Sequence, residues 1–360
     1  MKQIIFIDEN IPLLGNALES CGAVIRFSGR NLNRNYLIEN GCTYLFIRST
    51  TNINSELIEG TQVNFIGTAT SGTDHVDTQY LKNKKITFAF APGSNANSVA
   101  EYVVYSILLW SKVLQQEINN KTIGIVGFGN IGKLIAKYSE HLGLNILVND
   151  PPLKDENYSF PDYVKYSELD DICKNADIIT NHVPLTKESL YPTYKLFSKN
   201  IKLIKSCSLF IHTSRGGVVE ESELLSKIQS DGIITAIDVW ENEPYINKNL
   251  VNKSLIATPH IAGYSRDGKI RGAKMMADAF KTHSGIEPDY SEINLELSKY
   301  KPMSHGNFND CDMLFSLLQK SRELNKDTAK LKEMLSTENN NDVDIFDRMR
   351  KNYPVRREIL

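Results

Sequence analysis

With 360 residues, 41 basic against 43 acidic side chains and a formal charge of −2, the chain has room for two or three cored domains and no overall field suited to nucleic acid or an anionic membrane. Five scattered cysteines, Cys21, Cys42, Cys173, Cys207 and Cys311, show neither CxxC spacing nor pairing with histidines, which argues for reduced thiols in a cytoplasmic protein and against disulfides or a metal site. No apolar run approaches the roughly 20 residues of a membrane span, and the opening MKQIIFIDEN becomes acidic too soon for a signal peptide.

The first ninety or so residues alternate short apolar runs with helical patterns. Strands are expected at 4–7, 24–27, 44–47, 64–67 and 87–89, with helical pieces at 11–21 and 57–59, a pattern that suggests a small parallel α/β sheet without a glycine fingerprint. Next comes SNANSVAEYVVYSILLWSK, residues 94–112. Ser98 and Glu101 stand there in capping-box spacing before an apolar run long enough for a buried helix, expected to lead from the first domain into the second.

Residues 121–150 read KTIGIVGFGNIGKLIAKYSEHLGLNILVND. A strand at 122–126 runs into a turn with Gly127, Gly129 and Gly132, then a helix closed by Gly143, then a strand at 145–148 and an acid, Asp150. This is the order of a dinucleotide-binding βαβ unit. Gly127 permits the sharp turn, Gly129 the approach of a pyrophosphate, and Gly132 the close packing of helix on strand, while the helix N-terminus offers free N–H groups. Asp150 stands where a carboxylate accepts both ribose hydroxyls. Pro151 and Pro152 provide no arginine for a 2′-phosphate, so NAD is expected rather than NADP.

The βα rhythm continues with strands at 177–182, 209–213, 233–238 and 255–258, each apolar and ending in a polar residue. In a doubly wound sheet those ends face the ligand crevice. After Gly263 the pattern is helical to about His283, where the chain is expected to cross back to the first domain. From about Glu287 the composition becomes charged, with a solvated loop at 338–342 and a basic stretch RMRKNYPVRREIL. Met313, Leu314, Leu317 and Leu318 recur at helical spacing and predict a packed face, against this chain or another subunit.

Three strand ends carry candidate chemistry. In TSRGG, residues 213–217, Arg215 can grip a carboxylate through two parallel hydrogen bonds, or can serve as a structural salt bridge. DVWENEP, 238–244, supplies carboxylates. TPHIAGY, 258–264, places His260, an imidazole able to move a proton near neutrality, at a strand end.

The constellation GFGNIG, TSRGG, DVWENEP and TPHIAGY resembles the D-isomer-specific 2-hydroxyacid dehydrogenases, whose catalytic Arg, Glu and His match Arg215, Glu243 and His260. One branch of that family also matches in FIDEN, IRSTT, GTATSGTDHVD, APGSNANSVAEYV, NDPP, HIAGYSRDGKIRG and RKNYPVRRE, which together cover nearly the whole chain. The resemblance implies a Rossmann doubly wound NAD-binding domain at 96–263. It also implies a discontinuous flavodoxin-like α/β substrate domain, 1–95 with 264–286, and a C-terminal α+β domain, 287–360, through which a homodimer forms. The substrate implied is a small phosphorylated 2-hydroxy acid; no metal is implied.

In that frame His260 takes the hydroxyl proton, Glu243 holds and polarises His260, and Arg215 binds the carboxylate and polarises the developing carbonyl. Ser49, Thr70 and Tyr264 match substrate contacts. The cofactor residues are Gly127, Gly129, Asn130, Ile131 and Gly132 at the pyrophosphate, Asp150 at the ribose, and Val183, Thr213, Ser214, Arg215, Asp238 and Gly263 toward the nicotinamide. Closure of the two domains would exclude water from the hydride path. Val183 stands where the family often has threonine, so its contact must use backbone, and Thr-Ser precedes Arg215 where Ala-Cys is frequent.

The trio serves any 2-hydroxy acid, so phosphoglycerate, glycerate and unphosphorylated acids stay open, as does a non-enzymatic NAD sensor. A substrate phosphate needs further donors. Arg48 and the basic cluster Arg348, Arg350, Lys351, Arg356 and Arg357 are the candidates.

Overall fold

A computed structural model describes residues 3–303, 310–336 and 342–360, with side chains from 345 onward in the last stretch. By internal contacts the chain forms two units, Met1–Asn95 with Ser265–Lys301, and Ala96–Tyr264 with Pro302–Leu360. The region expected as a third part, 287–360, is thus divided: the helix Ser291–Ser298 goes with the first unit and the helices after residue 310 with the second.

In the first unit, β1 (Ile4–Asp8), β2 (Ala23–Phe27), β3 (Tyr44–Ile47), β4 (Phe65–Thr68) and β5 (Thr87–Phe90) pair in parallel in the order β2-β1-β3-β4-β5. That is the flavodoxin-like order, and each strand lies within about one residue of its expected span. Side chains alternate across the sheet as the period of two requires. Ile5 and Ile7 join Phe46, Phe65 and the returning helix Arg266–Ser284, through Ile270, Met276 and Phe280. Phe6 points the other way, to Leu45, Ile47 and Ile66. Helix and sheet approach closely at Gly67, where a Cβ would stand 2.8 Å from the Phe46 ring and 2.9 Å from the Met276 sulfur.

Two helices between the strands of this unit lie outside the expected helical pieces. Arg34–Glu39 and Thr78–Asn83 each bury a single residue, Leu37 and Leu81, too few to show a period. Each is started by a side-chain cap, Asn33 accepting from Tyr36 N and Asp77 from Tyr80 N, and those caps were the readable signal.

The second unit holds β6 (Thr122–Val126), β7 (Asn145–Asn149), β8 (Val164–Tyr166), β9 (Ile178–Asn181), β10 (Leu209–His212), β11 (Ile234–Ile237) and β12 (Ile256–Ala257). They run parallel in the order β12-β11-β10-β9-β6-β7-β8. The chain winds outward from β6 in both directions, so the switch point lies between β6 and β9, where open α/β sheets bind ligands. The long helix Ala96–Leu114 buries Tyr102, Val103, Ile107 and Trp110 with Ile123 and Ile125 of β6.

Ser98 and Glu101 do not form a capping box, because the helix begins at Ala96 and both residues lie inside it, 0% exposed. The Ser98 hydroxyl donates to the Ala262 carbonyl at 2.7 Å, and the Glu101 carboxylate pairs with Arg356 at 2.6 Å.

Beyond residue 310 come the helices Cys311–Ser321, Leu324–Ser336 and Asp342–Lys351. The apolar face predicted around residue 314 is covered within this chain: Leu314 and Leu318 are 0% exposed in the same core as Ile125, and the Phe315 and Tyr105 rings lie 5.1 Å apart. Met313 stays 38% exposed. The loop expected at 338–342 lies, up to residue 341, outside the described residues. Among the described residues no helix is long and apolar enough to cross a membrane.

Candidate active site

The C-terminal ends of β6, β7, β9, β10, β11 and β12 bring the predicted residues of the second unit to one edge of its sheet. At β6, Gly127 turns at φ +93, against the backbone of His182 and the side chain of Val183, each about 3.0 Å from where its Cβ would be. A Cβ on Gly132 would come within 2.1 Å of the Gly127 carbonyl oxygen, so the helix Asn130–His141 starts flush against the turn. Over Gly129 the space is open, with nothing within 4 Å of an added Cβ. Gly129 is also the N-cap and offers no side-chain acceptor to the first helical N–H groups. Open space over a close-packed turn, facing N–H groups without a side-chain cap, fits a dinucleotide pyrophosphate. Asn130 and Ile131 form the first turn of that helix.

Asp150 follows β7 as expected, but its carboxylate already has work in the fold. Oδ2 accepts from Phe128 N at 2.7 Å and Oδ1 from Leu153 N at 3.1 Å, capping the helix Pro151–Asp155. Each oxygen keeps a further lone pair for a ribose hydroxyl.

The arginine turn follows β10. Gly216 permits it: a Cβ there would meet the Trp240 carbonyl oxygen at 1.9 Å, so the turn carrying Arg215 lies directly on the loop carrying Glu243. The Arg215 Nη1 donates to the Ser214 carbonyl at 2.8 Å. Thr213 and Ser214 are buried, their hydroxyls turned to His182 Nδ1, at 3.4 Å, and to Asn181 Oδ1.

Glu243 and His260 are brought together as the sequence suggested. His260 Nδ1 lies 2.8 Å from Glu243 Oε2, and Glu243 Oε1 accepts from Trp240 N at 3.0 Å. The Trp240 indole donates to the Thr258 carbonyl at 3.0 Å, tying the glutamate loop to the segment that carries the histidine. Burial by itself would raise the Glu243 carboxyl. His260, the Trp240 N–H and the Arg350 charge outweigh it and hold that carboxyl below its ordinary range, so the pair is ionised on the Glu243 side near neutrality. His260 adopts φ +56, a left-handed backbone uncommon outside glycine. Its own N–H donates to the Asp238 carbonyl at 2.8 Å.

Asp238 is 1% exposed. Its carboxylate accepts from Thr258 Oγ1, Ile261 N and Ala262 N at 2.6, 2.8 and 2.9 Å, and burial pushes its carboxyl up against the opposing pull of His260 and these bonds. Gly263 and Tyr264 follow. The Arg350 guanidinium stands 6.0 Å from the Tyr264 ring centre, and its charge acts on Glu243, which brings one of the candidate tail cations beside the Glu243–His260 pair. Arg356 instead turns inward and is 7% exposed.

Two histidines at this edge were missed. His212 ends β10, 2% exposed, with Nδ1 about 3.1 Å from the Asn181 amide. Burial drives its imidazole down to about 4, against the Gly216 carbonyl and Glu243, which pull it up. His182 meets Thr180 Oγ1 at 2.8 Å through Nε2, and burial and His212 push it down to about 3. Both are therefore neutral near pH 7. Their position, the last residue of a strand or the next, was the available signal.

In the first unit, Arg48 and Ser49 follow β3 and Thr70 follows β4. Arg48 Nε lies 3.3 Å from the Asp8 carboxylate, and Thr70 Oγ1 bonds Thr68 Oγ1 at 2.8 Å and the Gly72 carbonyl at 2.9 Å. Lys269, also overlooked, has its ammonium pushed down by burial and then by the Arg48 charge.

A family model described as D-isomer specific 2-hydroxyacid dehydrogenase, NAD binding domain, matches residues 104–262. Over 363 residues the chain is 38% identical to an erythronate-4-phosphate dehydrogenase of Bacteroides thetaiotaomicron, covering 98% of this chain and 97% of the relative. It is 36% identical to the protein of the same name from Proteus mirabilis, covering 98% and 92%. Among solved structures, D-lactate dehydrogenase of Aquifex aeolicus complexed with NAD and lactic acid superposes with a TM-score of 0.64 at 23% identity, over 79% of this chain and 96% of that one. An NAD-dependent formate dehydrogenase of Staphylococcus aureus gives 0.65 at 22% identity, over 78% and 95%.

Proposed function

The chain belongs to the D-isomer-specific 2-hydroxyacid dehydrogenases, NAD-dependent oxidoreductases, and from that premise we propose that it oxidises 4-phospho-D-erythronate at C2. The product is (R)-3-hydroxy-2-oxo-4-phosphooxybutanoate, on the route to pyridoxine 5′-phosphate. The observation that carries the chemistry is the His260–Glu243 pair at 2.8 Å. The name of the near full-length relatives carries the substrate.

Glu243 engages Nδ1, so Nε2 of His260 is the nitrogen free to accept the C2 hydroxyl proton, and the ionised Glu243 stabilises the imidazolium that results. Arg215 holds the substrate carboxylate and polarises the developing C2 carbonyl. Bound NAD would supply the acceptor for the hydride that leaves C2. Gly127, Gly129, Asn130, Ile131 and Gly132 would hold its pyrophosphate and Asp150 its ribose, with Val183, Thr213, Ser214, Asp238 and Gly263 toward the nicotinamide. Ser49, Thr70 and Tyr264 are assigned to the substrate, the protein to the cytoplasm, and its assembly to a homodimer built on the region after residue 287.

The test is NADH formation with 4-phosphoerythronate, 3-phosphoglycerate and glycerate side by side. Preference for the first supports the proposal; preference for another acid moves the substrate within the family. Tight NAD binding with no turnover on any of them points to a sensor. Arg350 is the tail cation we assign to the substrate phosphate, because it stands beside Tyr264 and its charge reaches Glu243. Arg350→Met is expected to raise KM for the phosphorylated acid about ten-fold or more, the scale of one lost charge-assisted contact. KM for glycerate should stay unchanged; an equal rise for both acids would remove Arg350 from the phosphate site.

A further inference from the structure

The turn that carries His260 is gripped from behind by a buried polar cluster that takes no part in proton transfer. On one side Asp238 receives the N–H groups of Ile261 and Ala262. On the other, the Ala262 carbonyl accepts from Ser98 Oγ at 2.7 Å and from Arg322 Nη2 at 3.0 Å. Arg322 Nη1 donates to the Ser98 carbonyl at 2.6 Å, so one guanidinium bridges the long helix and the catalytic turn.

Arg322 also reaches the turn by a second route. Its guanidinium stands 5.5 Å from the Tyr102 ring centre, and the Tyr102 hydroxyl pairs with Thr258 Oγ1 at 2.9 Å. Thr258 in turn donates to Asp238 at 2.6 Å. An outer layer closes the cluster. Arg356 donates to Ser98 Oγ and to the Glu101 carboxylate, each at 2.6 Å, while Glu101 accepts from Leu360 N at 3.0 Å and from Ile359 N.

Arg322, Glu101 and Arg356 are 2%, 0% and 7% exposed. Charges this deep rarely add net stability over apolar residues of the same volume, because desolvation offsets their attraction. What they do supply is geometry. A left-handed histidine persists only where its surroundings hold it, and here both flanks of the turn are held by directional bonds.

We propose that Arg322 and Ser98 are positioning residues for the dehydrogenase reaction. They clamp the Ala262 carbonyl and so hold the backbone that aims the His260 imidazole, and the Glu101–Arg356 pair locks Ser98 and the 356–360 segment over the clamp. The inference rests on His260 being the proton acceptor.

The test uses the full chain with NAD and 4-phosphoerythronate, comparing wild type with Arg322→Met, Arg322→Lys and Ser98→Ala. NAD-binding sites are counted by titration so that kcat is expressed per folded site. Arg322→Met is expected to lose about ten- to a hundred-fold in kcat, the effect of misplacing a reacting group by about an ångström, with the NAD Kd unchanged and the acid limb of the kcat/KM pH profile displaced. Arg322→Lys should recover part of the rate, and Ser98→Ala, missing one hydroxyl, should show a smaller loss with the same signature. Unchanged kcat per NAD site overturns the inference, as does a loss of turnover that only follows the loss of NAD sites at an unchanged pH profile. If Arg322→Met does not fold, Ser98→Ala decides by the same criteria. Wild type that turns over no 2-hydroxy acid would instead overturn the reading of His260, and is told apart because it needs no variant.

Discussion

His260→Ala is expected to lower kcat by roughly 10²- to 10⁴-fold, the range supplied by one positioned acid–base group, while the NAD Kd stays within about two-fold of wild type. The asymmetry follows from placement. His260 stands past β12 with its Nδ1 on Glu243, whereas the glycine turn that fits the pyrophosphate lies past β6, at the other side of the switch point. Steady-state kinetics with fluorescence titration of NAD checks both halves at once. A near-normal rate would remove the histidine from proton transfer, and a parallel loss of NAD affinity would mean the turn had collapsed. Glu243→Gln is expected to fall in the same direction but less far, since an amide can still accept the imidazole hydrogen bond without stabilising its positive form.

Acid should unfold this protein through its buried histidines, above the pH where carboxylates titrate. His212 is held neutral at about 4 in the fold, against about 6.5 in an unfolded chain. The unfolded state therefore takes up a proton that the folded state refuses. Stability is flat above about pH 6.5 and falls as pH drops toward 4, with a slope of about 1.4 kcal/mol per pH unit for each such histidine. His182, driven down to about 3, adds in the same direction. Urea unfolding at pH 7, 6, 5 and 4.5 measures the slope. His212→Asn should flatten it by about one proton; an unchanged slope would place the acid sensitivity elsewhere. Glu243 acts lower still, since its depressed carboxyl keeps its contribution until pH falls through the folded value.

Much of the second unit was legible because its signals are local. Strand runs such as 209–211 are apolar throughout, since a parallel strand between two helical layers is buried on both faces, and their polar ends mark the crevice edge. The glycines are equally local: Gly127 turns at positive φ and Gly132 touches the Gly127 carbonyl, within five residues of each other. Tail helices were harder to read. Leu314 and Leu318 announced a covered face without saying what covers it, and the cover is the Tyr105 helix of the same chain.

Ser98 and Glu101 show where such reading stops. Their spacing is that of a helix cap, and spacing alone cannot separate a cap from two buried polar residues. The difference lies with partners 164 and 255 positions away, Ala262 and Arg356. The neutral state of His212 was hidden for the same reason, because burial of an imidazole is a property of the layers around it.

By itself the amino-acid sequence determined the two parallel α/β sheets and the nucleotide turn, and it singled out Arg215, Glu243 and His260 as candidates, since hydrophobic period, glycine placement and residue chemistry are all carried by neighbours along the chain. Only the tertiary structure decided which charges are buried, which histidines stay neutral, and that Arg322 and the 356–360 segment stand behind the turn that carries His260. Those depend on desolvation and on contacts between residues far apart in the chain, and no local pattern encodes either.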